Sequence, residues 1–117
     1  MKFLHTADWQ IGMKAAHAGK AGPAVRDARF EAARKVVDEG RRRGAEFILV
    51  AGDTFEDNGV DRVSVRKVVD ILASFGGPVY VIPGNHDPWV PGSVWEHPAW
   101  KDSDHVRVLL EPSPVAI

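Results

Sequence analysis

The chain has 117 residues, 44% hydrophobic and 26% charged, the balance of an ordinary globular protein and the length of one domain or part of one. A formal net charge of −1 leaves no basic excess, so any nucleic acid would have to be met by a local patch or through a partner. No apolar run approaches the ~20 residues of a membrane span, the opening is too short for a secretory leader, and the absence of cysteine excludes disulfides and fits a cytoplasmic setting.

Residues 2–7 predict a first strand, apolar enough to be buried. The Gly-, Ala- and Lys-rich stretch 12–23 predicts a loop over the sheet edge, ending at Gly22-Pro23. From Ala24 to about Arg43, the residues Val25, Ala28, Ala32, Val36 and Gly40, with Ala33 and Val37 alongside, recur at helical spacing. Arg41-Arg42-Arg43 closes this helix before Gly44, where cations complement the helix dipole; a solvated helix end is the simpler reading, a phosphate-contacting patch the sharper one. Residues 46–51 are nearly unbroken in apolar character, the pattern of a strand covered on both faces.

Asp61 is placed to cap a second helix with the stripe Val65, Val68, Val69, Leu72 and Phe75. Gly76-Gly77-Pro78 stops it, and 79–82 forms a third strand. Residues 88–104 carry Trp89, Trp95 and Trp100 among prolines, with little periodicity beyond a short helix near 93–100. Val106–Leu110 alternates weakly as a further strand, and Pro114–Ile117 could open another. The β-α-β-α-β order with helix-length crossovers implies parallel strands with right-handed connections. The chain ends on an apolar, strand-like segment, which suggests that residues 1–117 are the N-terminal part of a larger domain.

Three polar clusters each follow an apolar run: Asp8-Trp9-Gln10, Gly52-Asp53-Thr54-Phe55-Glu56 and Gly84-Asn85-His86-Asp87. Parallel strands would deliver all three to one edge of the sheet, where open α/β sheets place their ligands. Asp53, after a glycine that permits a tight turn, could bridge two cations or merely cap a turn. Asn85-His86 is more telling, because an amide oxygen suits a metal while the adjacent imidazole can face a substrate. The succession of three such clusters is what a hard-cation or dinuclear centre requires. A phosphoacceptor receiver domain also gathers aspartates at adjacent strand ends, but the Asn-His pair argues against it.

These clusters resemble the first three motifs of the calcineurin-like metallophosphoesterase superfamily. Phe3-Leu4-His5-Thr6-Ala7-Asp8-Trp9 and Gly52-Asp53-Thr54-Phe55 further resemble its SbcD-type DNA-repair nucleases, the family of the meiotic-recombination-eleven nuclease. The resemblance implies an α/β fold, a metallophosphoesterase sandwich whose first-half βαβαβ sheet and flanking helices this chain supplies. It implies two divalent metal ions, manganese in the nuclease branch, with Asp8 on the first metal, Asp53 bridging and Asn85 on the second. His86 would be the catalytic histidine, and Glu56, where the family usually has Asp, would orient it.

The activity implied is exonuclease or endonuclease cleavage of DNA in double-strand-break repair, with an SbcC or Rad-fifty-type ATPase as partner. Gln10 stands where the family has a metal-binding His; its amide oxygen can ligate a hard cation but is the weaker donor. The Gly-His-x-His motif that completes the family's centre is absent from this sequence. His5 reads as a packed or supporting residue, His17 as a surface residue, and His97 and His105 have no motif context. Two other functions stay open: a phosphoesterase acting on nucleotides or phosphoproteins, and a non-catalytic module that binds metal weakly. A sheet without its partner would expose an apolar face, so the chain is expected to self-associate, as a homodimer.

Overall fold

The structure, a computed structural model, describes residues 2–11, 22–55, 62–84, 87, 93–102 and 104–109. The element order is β1 (Phe3–Thr6), α1 (Gly22–Arg42), β2 (Phe47–Ala51), α2 (Arg62–Ala73), β3 (Val79–Ile82), 3-10 turns at Val94–Glu96 and Pro98–Lys101, and β4 (Val106–Val108). The four strands among the described residues pair in parallel, in the spatial order β1-β2-β3-β4. Successive strands lie side by side, so crossovers of one hand put both helices on one face of the sheet. This is the α/β fold with a parallel sheet and flanking helices that the sequence implied.

Period-two alternation sorts the strand residues between the faces. Ile48, Val50, Val79, Val81 and Val106 point to the helices and join one core with Phe30, Ala33 and Val37 of α1 and Val65, Val68, Val69 and Leu72 of α2. The opposite face carries Phe3, Phe47 and Tyr80, with Phe3 stacked on Phe47 at 4.9 Å and Phe47 edge-on to Tyr80 at 6.0 Å. No helix among the described residues covers it, and Phe3 is 51% exposed. The unbroken apolar run of β2 therefore has its helix cover on one side only.

Two details of α1 differ from the sequence reading. Gly22-Pro23 opens the helix instead of ending the loop; proline is tolerated in a first turn, where its missing N–H would have no partner anyway. The buried stripe runs through Phe30, Ala33, Val37 and Gly40, whereas Ala28 and Ala32 are exposed. Alanine fits either face of a helix, and the large Phe30 decides which one turns inward. The helix end also resolves one alternative. Arg41 pairs with Asp38 at 2.6 Å, and Arg42 and Arg43 with Glu39 at 3.2 and 2.6 Å, so the basic run is an ion-paired, solvent-facing terminus.

α2 is buried along Val65, Val68, Val69 and Leu72, as its period demands, and ends before Gly76 at φ 78°. Asp61 and the 110–117 segment lie outside the described residues. The tryptophan-rich segment is ordered by its own side chains. Trp95 and Trp100 are buried against each other at 5.1 Å and against Phe55 at 5.5 and 6.2 Å. Aromatic packing holds short 3-10 turns there in place of one short helix. No helix among the described residues is long and apolar enough to cross a membrane.

Candidate metal centre

Beyond the C-terminal ends of β1 and β2 the backbone continues to pair, but irregularly. The amide of Asp8 donates to the Gly52 carbonyl at 3.1 Å, Gln10 to Asp53 at 3.0 Å, and Ile11 to Thr54 at 2.9 Å. Gly52 in turn donates to Ile82 at 2.9 Å, tying the second strand end to the third. Ile11 and Phe55 form an isolated parallel bridge, and both are fully buried. This ladder brings Asp8, Gln10 and Asp53 to one edge.

The conformation of these three residues sets them apart. Asp8, Gln10 and Asp53, at φ 57°, 51° and 52°, are the only non-glycine residues at positive φ among the described residues. The left-handed region costs an L-residue roughly 1–2 kcal/mol, less for Asp and more for a long side chain such as Gln. Three such residues on facing loops mark a segment held by its surroundings, the pattern found where side chains must be presented to a ligand. Trp9 supplies part of the hold. Its ring is buried, its indole N–H donates to Thr6 Oγ1 at 2.9 Å, and its carbonyl accepts from Arg29 at 3.4 Å. With Trp9 fixed inward, Asp8 is exposed and Gln10 half-buried.

Asp87, which the sequence placed in the third cluster without a role of its own, is fully buried. Its carboxylate accepts from the Phe55 amide at 2.9 Å and from the Gly84 amide at 2.7 Å, and so staples the second strand-end loop to the third. Burial raises the Asp87 carboxyl above its ordinary value, against the lowering effect of the Phe55, Gly84 and Asp53 N–H donors, and the Asp53 carboxylate pushes it further upward. The two loops approach so closely at Gly84 that a side chain there would collide with the Asp53 backbone and carboxylate.

The described donors are two carboxylates and one amide oxygen. They suit a hard divalent cation in kind, since such ions take oxygen ligands. They fall short in number: among the described residues no group of three or more His, Cys, Asp or Glu could hold a metal. Thr54 Oγ1, adjacent to Asp53, is fully buried with no hydrogen-bond partner among the described residues. Asn85, His86 and Glu56 lie outside the described residues, as does His17. The other histidines serve elsewhere. His5 is exposed on β1 instead of packed, His97 caps the second 3-10 turn by accepting from the Ala99 amide at 3.1 Å, and His105 is exposed in the turn before β4.

A parallel α/β sheet whose strand ends bring oxygen donors to one edge places them where open α/β sheets bind their ligands. The comparison with known proteins gives this class its family. A model of the calcineurin-like phosphoesterases matches residues 1–112, and the chain belongs to that family. It is also 31% identical over 85 residues to the uncharacterized metallophosphoesterase YhaO of Bacillus subtilis (strain 168). That match takes in 70% of this chain but 20% of the Bacillus protein, so the chain spans only a small part of that relative. Divalent metals are typical of the family; neither match singles out its DNA-repair branch or a particular metal.

Proposed function

We propose that this chain is the part of a metal-dependent phosphodiesterase that carries the first-metal ligands and the catalytic histidine, and that its substrate is DNA. The observation that carries the reading is the coincidence of left-handed backbone with oxygen donors at Asp8, Gln10 and Asp53, on loops hydrogen-bonded to each other. Asp8 and Gln10 would hold one divalent ion, Asp53 would be shared with a second, and Asn85 would complete this chain's share. Bound there, the ions, manganese in this reading, would neutralise phosphate charge and acidify a water for in-line attack.

The chain's own residues supply the remainder. His86 protonates the leaving oxygen or donates a hydrogen bond to the charge that develops there, and Glu56 orients the imidazole. Cleavage would be exonucleolytic or endonucleolytic, with an ATPase of the SbcC or Rad-fifty type as partner. Pairing through the Phe3–Phe47–Tyr80 face would give a homodimer.

One observation favours a second reading, a phosphoesterase of nucleotides or phosphoproteins. The net charge is −1, and the densest basic run is consumed in ion pairs with Asp38 and Glu39, which leaves no basic track for a polymer there. Hydrolysis of single-stranded DNA, bis-p-nitrophenyl phosphate and p-nitrophenyl phosphate with Mn²⁺ separates the two. DNA and diester cleavage abolished by Asp53→Asn and His86→Ala supports the nuclease. Turnover of the monoester alone supports the second reading, and activity that survives Asp53→Asn refutes both.

A further inference from the structure

Past the third cluster, a residue belonging to no recognised motif touches two components of the site. Trp95 donates its indole N–H to the Asp87 carbonyl at 2.6 Å, within the buried interior. Its ring also packs edge-on against Phe55 at 5.5 Å. Phe55 is two residues beyond Asp53, and its amide donates to the Asp87 carboxylate. The contacts therefore form a closed circuit: Trp95 to the Asp87 carbonyl, the Asp87 carboxylate to the Phe55 amide, and the Phe55 ring back to Trp95. A branch from the same carboxylate reaches the Gly84 amide at 2.7 Å.

We infer that Trp95 is a positioning residue for the candidate metal centre, locking the turn that presents Asp53 against the Gly84 turn that leads to Asn85 and His86. The inference rests on the reading of that edge as a metal site. The physical argument is one of rigidity. Asp53 occupies a left-handed backbone that reverts unless its neighbours hold it. Asp87 can hold it only while its own main chain is fixed, and the indole N–H is the described donor on that main chain. Groups that orient metal ligands from outside commonly change affinity by 10–100-fold when removed.

Trp100 provides an internal control. It lies in the same aromatic cluster, 6.2 Å from Phe55, but its indole N–H donates to the Val94 carbonyl at 2.9 Å and not to the site loops. Trp→Phe at either position keeps an aromatic ring and deletes one buried donor. Mn²⁺ affinity by calorimetry and thermal stability are measured for the wild-type chain, Trp95→Phe and Trp100→Phe. Trp95→Phe is expected to weaken Mn²⁺ binding about tenfold, and Trp100→Phe to leave it within about twofold while lowering stability comparably.

Mg²⁺ titration of the wild type, followed by proton–nitrogen spectra, is expected to shift the Trp95 indole signal together with the Phe55 and Gly84 amides. That measurement decides the question should Trp95→Phe not fold. Equal loss of affinity in both variants, unchanged affinity in Trp95→Phe, or a stationary Trp95 indole signal overturns the role of Trp95 alone. A wild-type chain that binds neither ion overturns the metal-site reading and this inference with it.

Discussion

Replacing Gly84 by alanine is expected to push the second and third strand-end loops apart. A Cβ at that position would stand 2.5 Å from Asp53 Oδ1 and 2.9 Å from Gly52 Cα, and nearer still to the Asp53 amide nitrogen. Two of these neighbours are backbone atoms, and the Gly52 amide is tied to the Ile82 carbonyl at 2.9 Å, so the clash cannot be relieved by a rotamer change. Overpacking of this kind costs about 1–3 kcal/mol. Separation of the loops also weakens the 2.7 Å bond from the Gly84 amide to the buried Asp87 carboxylate, a class of interaction contributing about 1.5–3 kcal/mol. The reduced entropy of the unfolded alanine chain returns about 0.4–1 kcal/mol.

The net loss is about 3 kcal/mol, which at this chain length lowers Tm by roughly 10–15 °C. Urea and thermal unfolding measure it, with Gly40→Ala as reference. There the new methyl meets Leu4 Cδ2 at 3.2 Å, the far end of a side chain able to shift, and the helix gains propensity, so the change should stay within about 1 kcal/mol. A Gly84→Ala protein as stable as Gly40→Ala would refute the close approach of these loops.

Three further outcomes are expected. The Asp87 carboxyl is raised above its ordinary 3.8, so its favourable contribution is complete below that value and lost as pH rises through the folded-state pKa. The metal-free wild type should therefore lose stability relative to Asp87→Asn as pH climbs from about 4, and a difference that is flat with pH would count against burial as the cause. Gln10→His, which offers an imidazole in place of an amide, should tighten metal binding, more for Zn²⁺ than for Mn²⁺; equal gains, or none, measured by calorimetry would remove Gln10 from the ligand set. Phe3, stacked on Phe47 yet 51% exposed, should support self-association. Sedimentation velocity is expected to show dimers or larger species that Phe3→Glu dissociates, and a monodisperse wild-type monomer would refute this.

Periodicity and strand-end polarity are local properties of a chain, and they determined much here without any tertiary information. The apolar runs at 47–51 and 79–82, the stripe from Val65 to Leu72 and the glycines after it specify strands and a helix because each signal lies within a few residues. Their order implies parallel strands, and parallel strands bring the ends of β1, β2 and β3, with Asp8 and Asp53, to one edge. Which face of α1 turns inward was not legible, because alanine is indifferent to burial and the answer depended on Phe30 meeting a distant sheet.

The hold on the site was not legible either. Asp87 reads as one more acidic residue in a turn until Phe55, 32 positions earlier, is seen to donate to it. Trp95 and Trp100 have no period to betray them, since 3-10 turns held by aromatic contacts leave no helical stripe. The candidate ligands are thus legible in the local sequence. The left-handed backbone that presents Asp8, Gln10 and Asp53, and the buried carboxylate and indole that fix the neighbouring turns, arise only when segments far apart in the chain pack together and exclude water from the bonds between them.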